Sequence, residues 1–427
     1  MASSASQAVV RCRDAADVSE LISYASRTGL RAVIRAGGHG PLWRSSTGRI
    51  VIDVTPMHSV TFSAGVATVG AGARVGDVYT ALAEQGCTIP AGRTASVGLA
   101  GLTLGGGFGI LGRTYGLTCD RLLGAQVVLA DGRVVECDER HHEDLFWALR
   151  GAGCGNFGVV TSLMFRTVRT PPAVAFNLTW PCPLTATVID AWQLWAIAVP
   201  DELTASLLVN ADADGGAPVV NLVGVMLAPQ VHAQELLNEL TVQVGTRPLR
   251  SHCVPYRDAK RHPAILGPQW QQASAGHFPA PVRAATRSEF FRRKLPANAI
   301  AALLENLTAA RMPGQSRGLY FAAWGGAYNR IGPDATAFVH RNEKFLLKHE
   351  VSATSRAAWE DGQKWLNRST ASVNPYGTGG VYPNFPDPNL ADWAHAYYGS
   401  NYKRLQHVKR EYDPMDFFRF PQAVEGL

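Results

Sequence analysis

The sequence predicts an α+β protein of two domains, and three observations support this prediction. Its 427 residues exceed what one hydrophobic core usually fills. Segments with helical periodicity alternate with short β-branched segments, and the composition changes after about residue 170, where the Pro-containing stretch TPPAVAF begins. With 46% hydrophobic and 17% charged residues, the chain resembles an ordinary packed protein. An enzyme or a large binding protein fits this composition.

The first half begins with a predicted amphipathic helix over 14–29. Val18, Leu21, Ile22 and Ala25 share one face of it, and Gly29 provides a natural end. The next predicted elements are strands RAVIRA (31–36) and IVIDV (50–54), alternating segments near 61–70, and a helix over 75–86. A hairpin follows in AQVVLADGRVVECD, with Asp131-Gly132 at its turn.

The second half reads as another set of strands and helices. Predicted strands are NLTW, SLLVNA, VVNLVGVML, GLYFAAWGG and KFLLKHEVSA, and predicted helices are QELLNELTVQV and NAIAALLENLTAA. The last stretch, YYGSNYKRLQHVKREYDPMDFFRF, is aromatic and basic, and we expect it to fold back onto the first domain.

Charge and cysteine usage exclude several classes of protein. A net charge of +6 with mixed signs does not imply a nucleic-acid partner. Seven scattered cysteines without a CxxC pair argue against a disulfide framework and against a zinc site. The N-terminus has no apolar signal region, and no run of about 18 apolar residues occurs. We therefore expect a cytoplasmic protein with neither a membrane nor a metal.

The glycine-rich bursts at 98–112 and 151–158 contain two GxGxxG matches. Neither follows a hydrophobic strand and opens a helix, so a nicotinamide dehydrogenase is the weakest interpretation. Seven glycines between Gly98 and Gly112 are more than turns require, and we expect the backbone there to approach an anionic ligand. His39 follows a predicted strand and two glycines, so its side chain projects from a loop. A surface histidine is the ordinary alternative.

Four segments together resemble the berberine-bridge-enzyme-like branch of the vanillyl-alcohol-oxidase and p-cresol-methylhydroxylase (PCMH-type) flavoproteins. They are RAGGHG (35–40), ASVGLAGLTLGGGFGILGRTYGLTCDRLLGAQVVLADGRVV, DLFWALRGAGCGNFGVVTSLMF and YYGSNYKRLQHVKREYDP. The resemblance implies a PCMH-type FAD-binding domain of two α+β subdomains, formed by 1–170 and completed by 385–427. It also implies a substrate domain over 171–384, an antiparallel sheet flanked by helices.

The resemblance further implies that His39 bonds covalently to the 8α-methyl carbon of FAD. The expected cofactor-binding residues are Arg35, Ala36, Gly37, Gly38, His39, Gly40, Thr94, Gly98, Gly101, Leu102, Gly105, Gly106, Gly109, Gly155, Gly158, Val160, Asn401 and Tyr402. Members with two covalent links have a cysteine where this chain has Thr94, so a single link is expected.

The resemblance leaves the catalytic base open. Plant-like members carry a polar residue two places before an aromatic-Gly-Gly, and this chain has Ala322 there. Tyr382, in GGVYPNFPD, matches a substrate-pocket tyrosine of bacterial relatives and would serve as a base if its pKa were lowered. A packed tyrosine is the alternative. Tyr320, Trp324 and Tyr328 are the expected pocket lining.

These features predict an FAD-linked oxidase that oxidises a small aromatic or polycyclic secondary metabolite by two electrons. The resemblance implies hydride transfer to flavin N5, dioxygen as acceptor and hydrogen peroxide as product. Antibiotic biosynthesis is one setting for such chemistry, and sugars and amines remain alternative substrates. Two other functions stay open: a dehydrogenase with another acceptor, and a resistance protein that re-oxidises or sequesters a drug.

Overall fold

The computed structural model describes residues 8–40, 50–213, 218–255 and 283–426. The strands are β1 (Ala8–Arg11), β2 (Ala32–Arg35), β3 (Ile50–Asp53), β4 (Val60–Ser63), β5 (Val66–Gly70), β6 (Cys87–Thr88), β7 (Leu122–Val128), β8 (Val134–Asp138), β9 (Val159–Arg166), β10 (Val168–Arg169), β11 (Val174–Pro181), β12 (Leu203–Ala211), β13 (Val219–Met226), β14 (Arg250–Pro255), β15 (Arg283–Phe291), β16 (Gln315–Ala323) and β17 (Phe345–Ala353). The helices are α1 (Ala15–Thr28), α2 (Val75–Ala83), α3 (Leu99–Leu104), α4 (Gly112–Tyr115), α5 (Glu143–Leu149), α6 (Thr185–Ala198), α7 (Gln230–Val244), α8 (Ala297–Thr308), α9 (Arg356–Ala371), α10 (Trp393–Tyr398) and α11 (Tyr402–Tyr412). The predicted α+β class is confirmed.

Helix α1 shows how local sequence determines an element. The Asp14 carboxylate accepts a hydrogen bond from the Asp17 N–H and caps the first turn. Gly29 ends the helix in the left-handed conformation, at φ 65°. The four apolar residues assigned to one face are all buried, so the amphipathic pattern is confirmed.

The first half of the chain contains two larger sheets and a two-stranded one formed by β6 and β10. β1, β3 and β2 make a parallel three-stranded sheet, and β4-β5-β9-β7-β8 make an antiparallel five-stranded sheet. The glycine segment 151–158 precedes β9 instead of following a strand, and 107–112 leads from α3 into α4. Neither GxGxxG match therefore lies in the strand-turn-helix context of a dinucleotide fold.

The second half is built on an antiparallel sheet of seven strands in the order β14-β11-β13-β12-β16-β17-β15. Alternate residues point to opposite faces of this sheet. Phe321 and Leu347 face helices α6 to α9 and form one hydrophobic core with them. Tyr320 and Leu346 face the other way and pack with Leu117. The second face is therefore the one that meets the first half of the chain.

The C-terminal tail returns to the first core. Residues of α10 and α11 belong to the same hydrophobic cluster as α1 and β7. The buried Lys409 ammonium donates to the Asn156 and Phe418 carbonyl oxygens at 3.0 and 2.8 Å, and pairs with Asp413 at 2.6 Å. These contacts connect the tail to the glycine segment before β9. The domain boundaries drawn above remain a prediction.

Three further observations concern the membrane, the cysteines and metal binding. Among the described residues, no helix is both long enough and apolar enough to cross a bilayer. All seven cysteines are free, and Cys12, Cys119 and Cys137 are buried. The described residues contain no cluster of three or more histidine, cysteine or acidic side chains suited to a metal ion.

Candidate active site

A cavity lies between the glycine-rich segment of the first half and the free face of the seven-stranded sheet. Residues 93 and 108–110 form one wall, and strands β12, β13 and β16 form the floor. The lining residues are Arg93, Phe108, Gly109, Ile110, Thr204, Ser206, Val223, Gly224, Val225, Tyr320, Ala322, Ala323 and Tyr328. The cavity therefore joins apolar and aromatic walls to a few hydroxyl groups and one guanidinium.

The structure brings the predicted cofactor segments together. A Cβ added at Gly37 would overlap the Gly98 backbone, so two main chains touch at this point. A Cβ at Gly155 would lie 3.7 Å from the Ile34 side chain of β2. The Gly153 N–H donates to the Leu104 carbonyl at 2.8 Å. Three glycine segments that are distant in sequence thus form one continuous surface.

Packing within the protein explains most glycines of the 98–112 burst. At six of the seven positions an added Cβ would overlap a neighbouring group, and only Gly101 meets no described atom within 4 Å. The overlapping pairs are Gly98 with Gly37, Gly105 with Asn384, Gly106 with Phe338, Gly107 with Thr118, Gly109 with Ala91 and Gly112 with Tyr328. The number of glycines therefore does not by itself require an anionic ligand, and the approach of this backbone to one remains a prediction.

The loop of Ala36–Gly40 does fit a bound anionic cofactor. None of its backbone N–H groups donates to another described residue, and an added Cβ at Gly38 or Gly40 would meet nothing within 4 Å. Successive free N–H groups of this kind form anion-binding concavities. Beside this loop, the Arg35 guanidinium pairs with Asp53 at 2.6 Å and stays half-exposed.

His39 projects from that loop with an exposed side chain. Partial desolvation by the surrounding chain lowers its pKa below 6.5, and the positive charge of Lys348 lowers it further. The neutral imidazole is therefore favoured, and its unprotonated nitrogen has a free lone pair. A covalent bond to an electrophilic carbon requires that lone pair.

The remaining predicted cofactor residues lie in different surroundings. Thr94 is half-buried, and its carbonyl accepts from the Val97 N–H at 3.2 Å. The Leu102 carbonyl accepts from the Asn384 amide. Val160 lies buried within β9, and an added Cβ at Gly158 would overlap Val127. Their contact with a cofactor remains a prediction.

The two tail residues have contacts within the protein. The Asn401 amide donates to the Pro333, Thr336 and Ala337 carbonyl oxygens at 2.7, 3.1 and 3.4 Å. Tyr402 stacks on Tyr398 with ring centroids 6.0 Å apart. Asn401 therefore fastens the tail to the 333–337 loop, and its amide nitrogen is already occupied.

Trp324 does not line the cavity, in contrast to the prediction. It is completely buried, stacks on Tyr328 at 4.4 Å and meets the Phe290 ring at 5.0 Å. Its indole N–H donates to the His340 carbonyl. Tyr320 and Tyr328 do line the cavity, and their contact with a substrate remains a prediction. Trp324 extends the pairing of β16 with β17, since its N–H donates to the Lys344 carbonyl at 2.8 Å, and its ring lies against that of Tyr328.

Tyr382 lacks the property that a base requires. Burial raises its pKa to about 12, and the side chain is 1% exposed. Its hydroxyl oxygen accepts hydrogen bonds from the Gly107 N–H and the Asn384 amide, both at 3.0 Å. The condition of a lowered pKa is therefore not met. The hydroxyl anchors the glycine segment to the 382–385 loop.

Sequence reasoning missed three polar groups beside the cavity. Arg93 lies with its guanidinium 4.7 Å from the centre of the Tyr320 ring. Lys348 is the cross-strand partner of Tyr320 on β17 and pairs with Glu350 at 2.6 Å. Ser206 shares a 3.1 Å hydrogen bond with the Tyr320 hydroxyl. For Lys348 the available signal was its spacing from Glu350, two residues apart and therefore on the same face of the strand.

Comparison with known proteins agrees with this geometry. The profile of the FAD binding domain matches residues 6–138, and that of berberine and berberine-like proteins matches residues 381–425. An FAD-linked oxidoreductase of Bacillus subtilis, YvdP, is 34% identical over 415 residues, which cover 96% of this chain and 90% of that protein. The chain belongs to the berberine-bridge-enzyme-like family of FAD-linked oxidoreductases.

Other members of this family are oxidases of oligosaccharides. Chitooligosaccharide oxidase of Gibberella zeae is 30% identical, over 96% of this chain and 85% of that enzyme. The solved structure of glucooligosaccharide oxidase from Acremonium strictum superposes with a TM-score of 0.85 at 25% identity, over 98% and 91% of the two chains. That enzyme carries a 6-S-cysteinyl, 8α-N1-histidyl FAD. The PCMH-type FAD-binding fold predicted from the sequence is confirmed.

Proposed function

We propose that this family member is an oxidase with FAD attached through His39, acting on a small aromatic or polycyclic metabolite. The observation that carries the proposal is the position of the cavity. It opens between residues 93 and 108–110, next to the glycine surface, and the sheet floor that carries Tyr320. When bound, FAD supplies the redox chemistry by taking a hydride from a substrate carbon and returning electrons to dioxygen as hydrogen peroxide.

A single covalent link is expected because only one of the two attachment groups is present. The exposed, neutral imidazole of His39 is the nucleophile. Thr94 occupies the position expected for a second, cysteinyl link, and its hydroxyl has no thiol chemistry. We infer an 8α-histidyl FAD without the cysteinyl bond that glucooligosaccharide oxidase has.

The substrate's ring is expected to contact apolar groups on both sides of the cavity. Phe108 and Ile110 line one wall, Val223 and Val225 line the floor, and Tyr320 lies 6.5 Å from Phe108, nearly parallel. Flat aromatic surfaces favour a ring over a flexible chain. The Ser206 and Tyr320 hydroxyls form the only side-chain hydrogen-bonded pair among the described lining residues. We assign to that pair a hydrogen bond to the substrate's hydroxyl, through which the proton released in the oxidation is relayed to solvent.

The first experiment asks whether the flavin is covalent. Purified protein is denatured in SDS and the gel is read for flavin fluorescence. We expect fluorescence on the wild-type polypeptide and none on His39→Ala, with His58→Ala, an exposed histidine of the same half, as matched control. Free flavin released from the wild-type protein would contradict the covalent link through His39 but would still show that the protein binds flavin. The absence of any flavin would contradict both the covalent link and flavin binding.

The second experiment separates an oxidase from the two other functions. Oxygen uptake and peroxide formation are measured with aromatic alcohols and with oligosaccharides. One peroxide per oxygen during turnover of an aromatic alcohol supports the proposal. Turnover with an artificial acceptor but not with oxygen would indicate a dehydrogenase, and stoichiometric binding without turnover would indicate a resistance protein. Turnover confined to oligosaccharides would overturn the aromatic substrate.

A further inference from the structure

Arg93 is a charged group in the cavity without a compensating charge. Its side chain is half-buried and lies over the Tyr320 ring. No hydrogen bond or ion pair joins its guanidinium to another residue in the described part of the chain. A guanidinium has five N–H donors, and leaving them unpaired as a site closes is costly. The guanidinium of Arg93 therefore has N–H donors beside the cavity that no described residue accepts.

The surroundings of Arg93 favour an anionic partner. None of the described lining residues is acidic, and the nearby hydroxyls of Thr204 and Ser206 are suitable hydrogen-bond donors. The second cation of this region, Lys348, is already paired with Glu350. The net local charge beside the floor is therefore positive, and Arg93 is its source.

We propose that the substrate carries an anionic group, a carboxylate in the simplest case, that pairs with Arg93. This inference rests on the proposed oxidase function and names its substrate class: an aromatic or polycyclic alcohol bearing an acid. Arg93 binds the acid through its planar fork while Phe108 and Tyr320 hold the ring. Arg93 is thus a specificity-determining residue.

The test measures binding rather than turnover, so that it does not depend on finding the substrate. Holoenzyme is titrated with benzoate, 2-naphthoate and anthracene-2-carboxylate, and with the amide of each, reading the flavin absorbance spectrum and protein fluorescence. We expect at least one acid to bind about tenfold or more tighter than its amide, since charge-assisted hydrogen bonds are stronger than neutral ones. High salt should reduce this preference.

Three variants assign the preference to Arg93. Arg93→Met keeps most of the side-chain volume and should remove the preference for acid over amide. Arg93→Lys should keep part of it, because a point charge lacks the bidentate fork. Arg74→Met, an exposed arginine outside the cavity lining, is the matched control and should behave as wild type. Phenyl phosphate and phenyl sulfate, tested alongside, show which anion is preferred.

Several results would overturn the inference. Equal binding of acid and amide across the series would do so, as would absence of binding by every compound. An acid preference that survives Arg93→Met, with an altered flavin spectrum, would assign Arg93 to the cofactor. Failure of the oxidase proposal would be seen separately. If acids bind more tightly than amides through Arg93 but no alcohol causes oxygen uptake, the anion site at Arg93 stands and the oxidase reaction is rejected.

Discussion

At the scale of residues, three tyrosines near the cavity differ in what their hydroxyl groups contact. Tyr328 donates to the Gly109 carbonyl at 3.0 Å, and Tyr382 accepts from the Gly107 N–H. Both hydroxyls are used to hold the glycine segment. The Tyr320 hydroxyl bonds to the side chain of Ser206, within the cavity lining. The three phenols are therefore not equivalent, and only Tyr320 is placed to exchange a proton with a ligand.

Replacing two of these tyrosines by phenylalanine distinguishes anchoring from proton transfer. Tyr320→Phe should lower kcat/KM about 100-fold or more with little change in stability. Tyr382→Phe leaves the buried Gly107 N–H unpaired and should lower the free energy of unfolding by about 1–3 kcal/mol, with kcat within a few-fold. Kinetics and urea unfolding are measured on both. A large loss of kcat in Tyr382→Phe alone would restore Tyr382 as the base.

His39 gives a pH prediction for cofactor attachment. Since its pKa lies below 6.5, the imidazole is neutral at pH 6.5 and above, and attachment is expected to slow only at lower pH. Lys348→Met removes a positive charge near His39 and should raise the pKa of its imidazole. The pH below which attachment slows should therefore be higher in this variant. The rate of covalent incorporation is followed after adding FAD to protein made without it. An unchanged pH dependence of the attachment rate in Lys348→Met would show that Lys348 does not influence His39.

At the scale of elements, buried guanidinium groups connect the two halves of the chain. Arg113 of α4 donates to the Ala196 and Val199 carbonyl oxygens at the end of α6, and to Leu203 at the start of β12. Carbonyl groups at a helix end otherwise lack partners. Arg341 pairs with Asp120 at 2.6 Å, and both side chains are almost completely buried. These contacts hold the cavity wall against the sheet.

The Asp120–Arg341 pair provides a stability prediction. Arg341→Met leaves the Asp120 carboxylate buried without a countercharge, with the Leu117 N–H still donating to it, and should lower the free energy of unfolding by about 3–5 kcal/mol. The double variant with Asp120→Asn should recover part of that loss, because the orphan charge is gone. Urea unfolding of both variants measures the difference. Equal losses in the single and double variants would contradict a role for the uncompensated charge.

Local sequence signals identified many elements but not all of them. α1 was predictable because its apolar face and its glycine end are both local. α6 was missed because TATVIDAWQLWAIA is apolar around most of its circumference and shows no amphipathic pattern. β15 was missed because RAATRSEFF begins with polar and charged residues.

The candidate site was less predictable than the elements that build it. The family resemblance pointed to His39, but the position of Arg93 beside Tyr320 depends on packing between residues more than 200 positions apart in sequence. The pairing of Tyr320 with Lys348 depends on strand register, which local periodicity does not specify. The burial of Trp324 between Tyr328 and Phe290 also depends on tertiary packing, which the local sequence does not specify.

At the scale of the whole molecule, buried titratable groups make stability depend on pH. Burial lowers the pKa of His340 and of His349 to about 3, so both are neutral in the folded chain. Unfolded histidines bind protons below about pH 6.5. The unfolded state thus binds more protons between pH 6.5 and 3, and stability falls as pH falls. Burial raises the pKa of Glu289 to about 7, so between pH 4.5 and about 7 the folded state binds more protons at this group than the unfolded state does. Its contribution to stability therefore falls as pH rises.

Removing one of these histidines should reduce the sensitivity to acid. His349→Asn can keep a polar contact with Ser369 but has no titrating group. We expect the loss of unfolding free energy from pH 6.5 to about 4 to shrink by about 3 kcal/mol relative to wild type, whatever its stability at neutral pH. His407→Asn, at an exposed position, is the control. If the unfolding free energy of His349→Asn and that of wild type change with pH in parallel, His349 is not a source of the acid sensitivity.

The return of the tail to the first core has a consequence for biosynthesis. The hydrophobic cluster around α1 and β7 includes Leu405, Val408 and Val424. A ribosome releases the N-terminal half before these residues. The first core is therefore incomplete while the sheet domain is being translated. We expect the loop of Ala36–Gly40 to reach its final packing only after α11 has emerged from the ribosome.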